Sequence, residues 1–230
     1  MTNITKKNLI TAAVAVAMSM MAAGNTFAAN VPTGVQLAEK QVLVRNNGSE
    51  PQSLDPHKIE GVPESNISRD LLEGLVINDP NGNIVPGAAE SWDNKDFKVW
   101  TFNIRKDAKW SNGDPVTAQD FVYSWQRLAD PKTVSPYASY LQYAHLTNID
   151  DIITGKAAPD TLGVKALDDH TLEVTLSEPV PYLDKLLAHP SMSPVNKPWS
   201  RNLVKMDPTT KFVGNGAYKL KIGLLTNVSY

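Results

Sequence analysis

The stretch from Phe97 to Leu128, FKVWTFNIRKDAKWSNGDPVTAQDFVYSWQRL, constrains the fold most, because two hydrophobic periods meet in it across one turn. Trp100, Phe102 and Ile104 alternate with polar residues at period two, the pattern of a strand with one buried face. Asn112-Gly113 is a turn dipeptide. Beyond it, Phe121, Trp125 and Leu128 follow the four- and three-residue spacing of a single helix face. Thr117 with Asp120 three residues later forms a near capping box, with aspartate in place of the usual glutamate. Strand, turn and amphipathic helix in succession predict a helix packed on a sheet, and the aromatics are read as its core.

The flanking segments extend this pattern. QVLVRNN, residues 41–47, alternates Val42 and Val44 and predicts a strand. From Pro63, the spacing of Ile67, Leu71 and Leu75 predicts a helix with one apolar face, ending at Gly74. In LVINDPNGNIVPG, two short apolar runs surround Asn81-Gly82, which predicts a tight hairpin. Asp79, Asn81, Asn83 and Glu90 also match positions one, three, five and twelve of a calcium loop, but Ile84 stands where that loop needs glycine. The hairpin is the better reading, and no metal is expected. LGVKALDDHTLEVTLSEP predicts two strands around Asp168-Asp169 with Leu172, Val174 and Leu176 on one face, and VPYLDKLLAHP a short helix after Pro181. Helices and hairpins alternate, so the class is mixed α/β.

Lys6 and Lys7 precede an apolar run from Leu9 to Ala23, and Thr26-Phe27-Ala28 offers small residues before a cleavage bond. This is the three-part pattern of a secretory signal over residues 1–28, and the run is short of the about 20 residues of a membrane span. The mature chain is expected to begin at Ala29 in the periplasm. With no cysteine, it must rely on a hydrophobic core rather than disulfides. A net charge of −2 argues against a nucleic-acid surface.

Enzyme signatures are missing. The sequence has no P-loop and no G-x-S-x-G elbow, and GNGAY at Gly214–Tyr218 is not a dinucleotide fingerprint. His57, His145, His170 and His189 show no metal-pair spacing, and each is read as a surface or satisfied histidine. Asp55, His57 and Glu60 lie close together in SLDPHKIEGVPES, but catalytic partners usually converge from separate parts of a chain, so this loop is read as a turn with a solvated face. An exported hydrolase remains the alternative of another class.

Four stretches together carry a resemblance: VRNNGSEPQSLDPHKIEGVPESNISRDLLEGL, VPGAAESWDNKD, VWTFNIRKDAKWSNGDPVTAQDFVYSWQRL and SPYASYLQYAH. The chain from about Pro32 to about Val195 resembles the oligopeptide-binding branch of extracytoplasmic solute-binding protein family 5, the receptors of peptide ABC importers. The resemblance implies a type II periplasmic-binding-protein fold that is incomplete here: part of domain I (29–72 and 197–230), domain II (73–196) and no third domain. It places Glu60, Gly61 and Val62 where family members pair with the main chain of a bound peptide, and Tyr137 where a residue lines the cleft. It further implies a non-enzymatic monomer without cofactor, whose partners are an oligopeptide and, in full-length form, an inner-membrane ABC permease. A murein-peptide binder of the same family is the near alternative.

The carboxyl-terminal end departs from the family pattern. Relatives continue with a stretch like Asp-Trp-Val-Val-Asn-Glu-Arg-Ile-Val, and one coding sequence for it, read one base late, spells Ile222–Tyr230. The expectation is a frameshifted amino-terminal fragment impaired in binding, or a non-functional product of a damaged gene. Pro198–Thr210 also fits the family poorly.

Overall fold

The computed structural model describes residues 33–202 and 212–220. The expected signal, the Ile222–Tyr230 tail and most of the divergent Pro198–Thr210 stretch lie outside those residues. The chain divides into two units, 1–45 and 46–230. In the first, the described residues carry a turn at Thr33-Gly34 and no strand. The strand expected over 41–47 does not form, and Val42 and Val44 are exposed. Alternation of side chains is not sufficient for a strand, which also needs a neighbouring ladder, and no ladder includes these residues.

The second unit opens with helix α1, Val62–Leu71. Its buried face is Glu64, Ser68 and Leu71, not the expected Ile67, Leu71 and Leu75. The helix stops at an extended Leu72, because Gly74 and Leu75 are drawn into pairing: their carbonyls accept from the amides of Ala88 (2.9 Å) and of Gly87 and Ala89 (3.1 and 3.0 Å). Leu75 is thus core, but beyond the helix.

Strands β1 (Val76–Asn78) and β2 (Ile84–Pro86) form the expected hairpin, with Ile77 opposite Val85. Asp79 organises its turn, its carboxylate accepting from the amides of Asn81 and Asn83, both at 2.8 Å. Gly82 takes the positive φ of +83° that such a turn requires.

The main sheet comprises β3 (Ala89–Lys95), β4 (Val99–Ile104), β5 (Val164–Ala166) and β6 (Thr171–Thr175), all antiparallel, in the order β3-β4-β6-β5. Trp100 faces Val174 and Phe102 faces Leu172 across the β4–β6 ladder, and all four are buried. Helix α2, Ala118–Ala129, packs across β5 and β6, with Phe121, Trp125 and Leu128 completely buried. Burying each of these side chains contributes about 2–3 kcal/mol. The start of α2 is fixed twice: the Thr117 amide donates to Asp120 Oδ2 (2.8 Å), and the Ala118 amide to the carbonyl of Asp169 in the β5–β6 turn (2.8 Å). On its other side, Trp125 Nε1 donates to the Met192 carbonyl (2.9 Å) and Ser124 Oγ accepts from the Val195 amide (2.6 Å).

Short helices α3 (Tyr140–Tyr143), α4 (Ile149–Ile153), α5 (Leu183–Leu187) and α6 (Lys197–Asn202) complete the unit. Residues 212–220 return along the end of α1, where Asn215 Oδ1 accepts from the Glu73 amide (3.0 Å) and its Nδ2 donates to the Glu73 carbonyl (2.8 Å). A side chain at Gly214 would collide with the Leu71 carbonyl, so the GNG sequence serves close backbone approach. Among the described residues, no helix is long and apolar enough to cross a membrane.

Candidate functional site

The loop before α1, expected to be solvated, is pinned inward. Asp55 and His57 are buried, His57 completely. Arg127 reaches them from α2: its Nη1 and Nη2 donate to Asp55 Oδ1 (2.9 Å) and Oδ2 (2.5 Å), and Nη1 lies 2.6 Å from His57 Nδ1. The same carboxylate accepts from the His57 amide (3.0 Å), the Asp55 carbonyl accepts from Lys58 (2.8 Å), and Ser53 Oγ accepts from the Asp55 amide (3.1 Å). A buried carboxylate survives because a bidentate guanidinium compensates it. Burial pushes the Asp55 carboxyl up, but hydrogen bonding and charge from Arg127, with His57, hold it below its ordinary value. His57 is pushed down to about 3, by burial first and then by the Arg127 charge, and is neutral. Since Nδ1 must accept from the guanidinium, the ring hydrogen is assigned to Nε2, which is buried with no partner among the described residues. The reading of His57 as a surface or satisfied histidine is therefore corrected. Arg127 was invisible to local pattern, because it lies 72 residues from Asp55 in the chain.

After the buried Ile59 the chain surfaces. Glu60 is exposed, Val62 is 73% exposed, and Gly61 is the extended amino-terminal cap of α1 (φ −109°, ψ 170°). The Gly61 carbonyl accepts from Ser65 (3.1 Å), whereas the amides of Glu60 and Val62 and the carbonyl of Glu60 have no partner among the described residues. Behind them sits the buried Glu64. Its Oε1 accepts from the Gln52 amide (2.7 Å), and its Oε2 lies 2.5 Å from where a Cβ on Gly61 would stand. A side chain here would have to displace the Glu64 carboxylate, whereas the backbone angles make no demand for glycine. The Gln52 amide, followed by Glu64's own, holds this carboxyl below its ordinary value.

Tyr137 lies in a separate aromatic cluster. It is half-buried, meets Tyr140 edge to face (6.5 Å, 76°) and lies 4.8 Å from the ring of His189, which is 4.6 Å from Tyr140. His189 Nδ1 bonds Ser191 Oγ (2.8 Å), and burial, followed by the charge of Arg69 on α1, lowers its pKa. Among the described residues no hydrogen bond or ring contact joins Tyr137 to Glu60–Val62; what connects the two groups is α1, which begins at Val62 and carries Arg69 near its end. The sequence leaves His189 as a surface or satisfied histidine and assigns no role to Tyr140, three residues after Tyr137. A cleft of about 160 Å³ opens between α1, β1 and residues 188–193, lined by Arg69, Val76 and Ser193 among others, and none of the four candidate residues lines it.

The family model described as bacterial extracellular solute-binding proteins, family 5 Middle, matches residues 83–222. The chain is 68% identical over 222 residues to the periplasmic oligopeptide-binding protein OppA of Salmonella typhimurium, covering 96% of this chain and 40% of that protein. It is 50% identical over 196 residues to the periplasmic murein peptide-binding protein MppA of Escherichia coli, covering 85% and 36%. Among solved structures, that of Haemophilus influenzae OppA in complex with RPPGFSPFR matches with a TM-score of 0.76 at 57% identity, covering 82% of this chain and 37% of that one. The unliganded open form of MppA matches at 0.77 and 50%, covering 84% and 38%. The chain thus spans about 40% of the length of the curated relatives it matches, and its fold is part of the type II periplasmic-binding-protein architecture. These relatives are named for binding rather than for catalysis. The chain belongs to the bacterial extracellular solute-binding proteins, family 5.

Proposed function

We propose that this chain provides one wall of a periplasmic oligopeptide-binding site, with Glu60, Gly61 and Val62 as the edge that pairs with the peptide main chain and Tyr137 as a side wall. The observation that carries this reading is the surfaced segment Glu60–Val62 at the start of α1, extended at Gly61, where the amides of Glu60 and Val62 and the Glu60 carbonyl have no partner among the described residues and stand on a buried support. Pairing through the main chain gives affinity that is blind to peptide sequence, and aromatic walls accept varied side chains. The 68% identity with an oligopeptide-binding protein, against 50% with a murein-peptide binder, favours oligopeptides in general as ligand.

In this reading residues 1–28 direct export, 73–196 form one domain, and 29–72 with 197–230 belong to its neighbour. The full-length form is a monomer that presents its peptide unaltered to an inner-membrane ABC permease. Amide exchange followed by NMR with increasing trialanine tests the site: Glu60–Val62 should gain protection in proportion to bound peptide, and trialanine should be recovered intact. Saturation with trialanine that leaves all three amides unprotected, or the absence of any binding, would sink the reading.

A further inference from the structure

We propose that Arg127 is a positioning residue for the peptide-pairing edge: from α2 it grips the Asp55–His57 turn and thereby fixes where Glu60, Gly61 and Val62 stand. The inference rests on the reading of 60–62 as that edge, and adds to it the residue that sets its place.

The geometry points to one control element. Arg127 makes three short contacts, two to the Asp55 carboxylate and one to the His57 ring. Only Lys58 and Ile59 separate this grip from Glu60, and Ile59 is 3% exposed, so little slack remains between clamp and edge. The helix that carries Arg127 also leads, through a single 3-10 turn at Pro131–Thr133, to the segment bearing Tyr137. The guanidinium therefore ties the candidate edge to the helix whose chain continues to Tyr137. A lysine could not reproduce this, because a point ammonium lacks the planar fork that holds both carboxylate oxygens and the ring nitrogen together.

The charges give the clamp a signature that a merely structural salt bridge would lack. Asp55 and Lys58 on the loop and Arg127 on α2 are the charged groups acting on His57. Removing the guanidinium leaves a buried carboxylate without its counter-charge and an imidazole across the vacated space. A proton on His57 would then restore a cation opposite Asp55. Acid should thus repair an Arg127 variant through His57.

The test measures trialanine affinity between pH 7.5 and 5.5, together with amide exchange at His57 and Lys58, in Arg127→Gln, Arg127→Lys and Arg127→Gln/His57→Gln. Exchange across Phe121–Leu128 confirms folding. Both Arg127 single variants should speed exchange at His57 and Lys58 and weaken binding at least about tenfold at pH 7.5. Binding by Arg127→Gln should tighten on acidification, the wild type should stay flat, and the double variant should not recover. Wild-type affinity in Arg127→Gln, or a loss independent of pH, overturns the proposal. If Arg127→Gln does not fold, Arg127→Lys is judged on exchange and affinity alone, with wild-type values overturning the proposal. A wild-type protein that binds no trialanine sinks the site reading, and the clamp then stands or falls on His57 and Lys58 exchange, where no change in Arg127→Gln refutes it.

Discussion

His57, buried beside a permanent cation, determines how this protein meets acid. Its unfolded form titrates near the ordinary histidine value of about 6.5, while the folded form resists protonation down to about 3. Between those values the unfolded chain binds more protons, so stability falls as pH drops through that window, by about 4 kcal/mol at pH 3. Asp55 acts in the same sense: its folded carboxyl lies below its ordinary value, so the stability it adds is complete above that value and lost as pH falls through the folded one. Urea unfolding of His57→Gln at pH 7 and pH 4.5 should therefore show a smaller loss on acidification than the wild type. Equal losses in the two proteins would contradict this. Neither residue's burial was legible locally, because Asp55-Pro56-His57 has the polar, proline-containing composition of a surface turn and its compensating charge lies far along the chain.

At the level of elements, the parts with complete local periods were legible. The β4 strand, the Asn112-Gly113 turn and the α2 face all appear where spacing placed them, since each carries its own buried stripe and end signal. The strand expected at 41–47 and the length of α1 were misread, because both are decided by distant pairing: one by a ladder that does not form, the other by the capture of Gly74 and Leu75 at Gly87–Ala89. The candidate edge at 60–62 and Tyr137 came from family likeness, and no periodicity marks them. Within α2, Trp125 combines packing with the hydrogen bond to Met192. Trp125→Phe keeps an aromatic ring but orphans that carbonyl, and should lower unfolding free energy by about 1–3 kcal/mol with an unchanged urea dependence. A change below about half a kcal/mol would show that the bond is replaced.

For the unit as a whole, the return of residues 212–220 joins positions far apart in the chain, and Asn215 reaches Glu73 across 142 positions. The side-chain amide matches one backbone donor and one acceptor. Asn215→Asp loses the donor and turns an oxygen toward the Glu73 carbonyl, and at pH 7 it should destabilise the fold by about 1–3 kcal/mol in chemical denaturation. A variant as stable as the wild type would mean that the return of residues 212–220 does not depend on this pair.

That same tie imposes an order on biogenesis. At about 5–20 residues per second, the ribosome completes Glu73 on the order of ten seconds before Asn215. The arginine that closes on Asp55 and the β4–β6 ladder are translated within that interval, whereas the end of α1 must wait for its last covering segment. A nascent chain thus holds a nearly finished sheet and helix with one backbone edge still open, a timed vulnerability at the Leu71–Glu73 segment that closes only when the GNG sequence is translated.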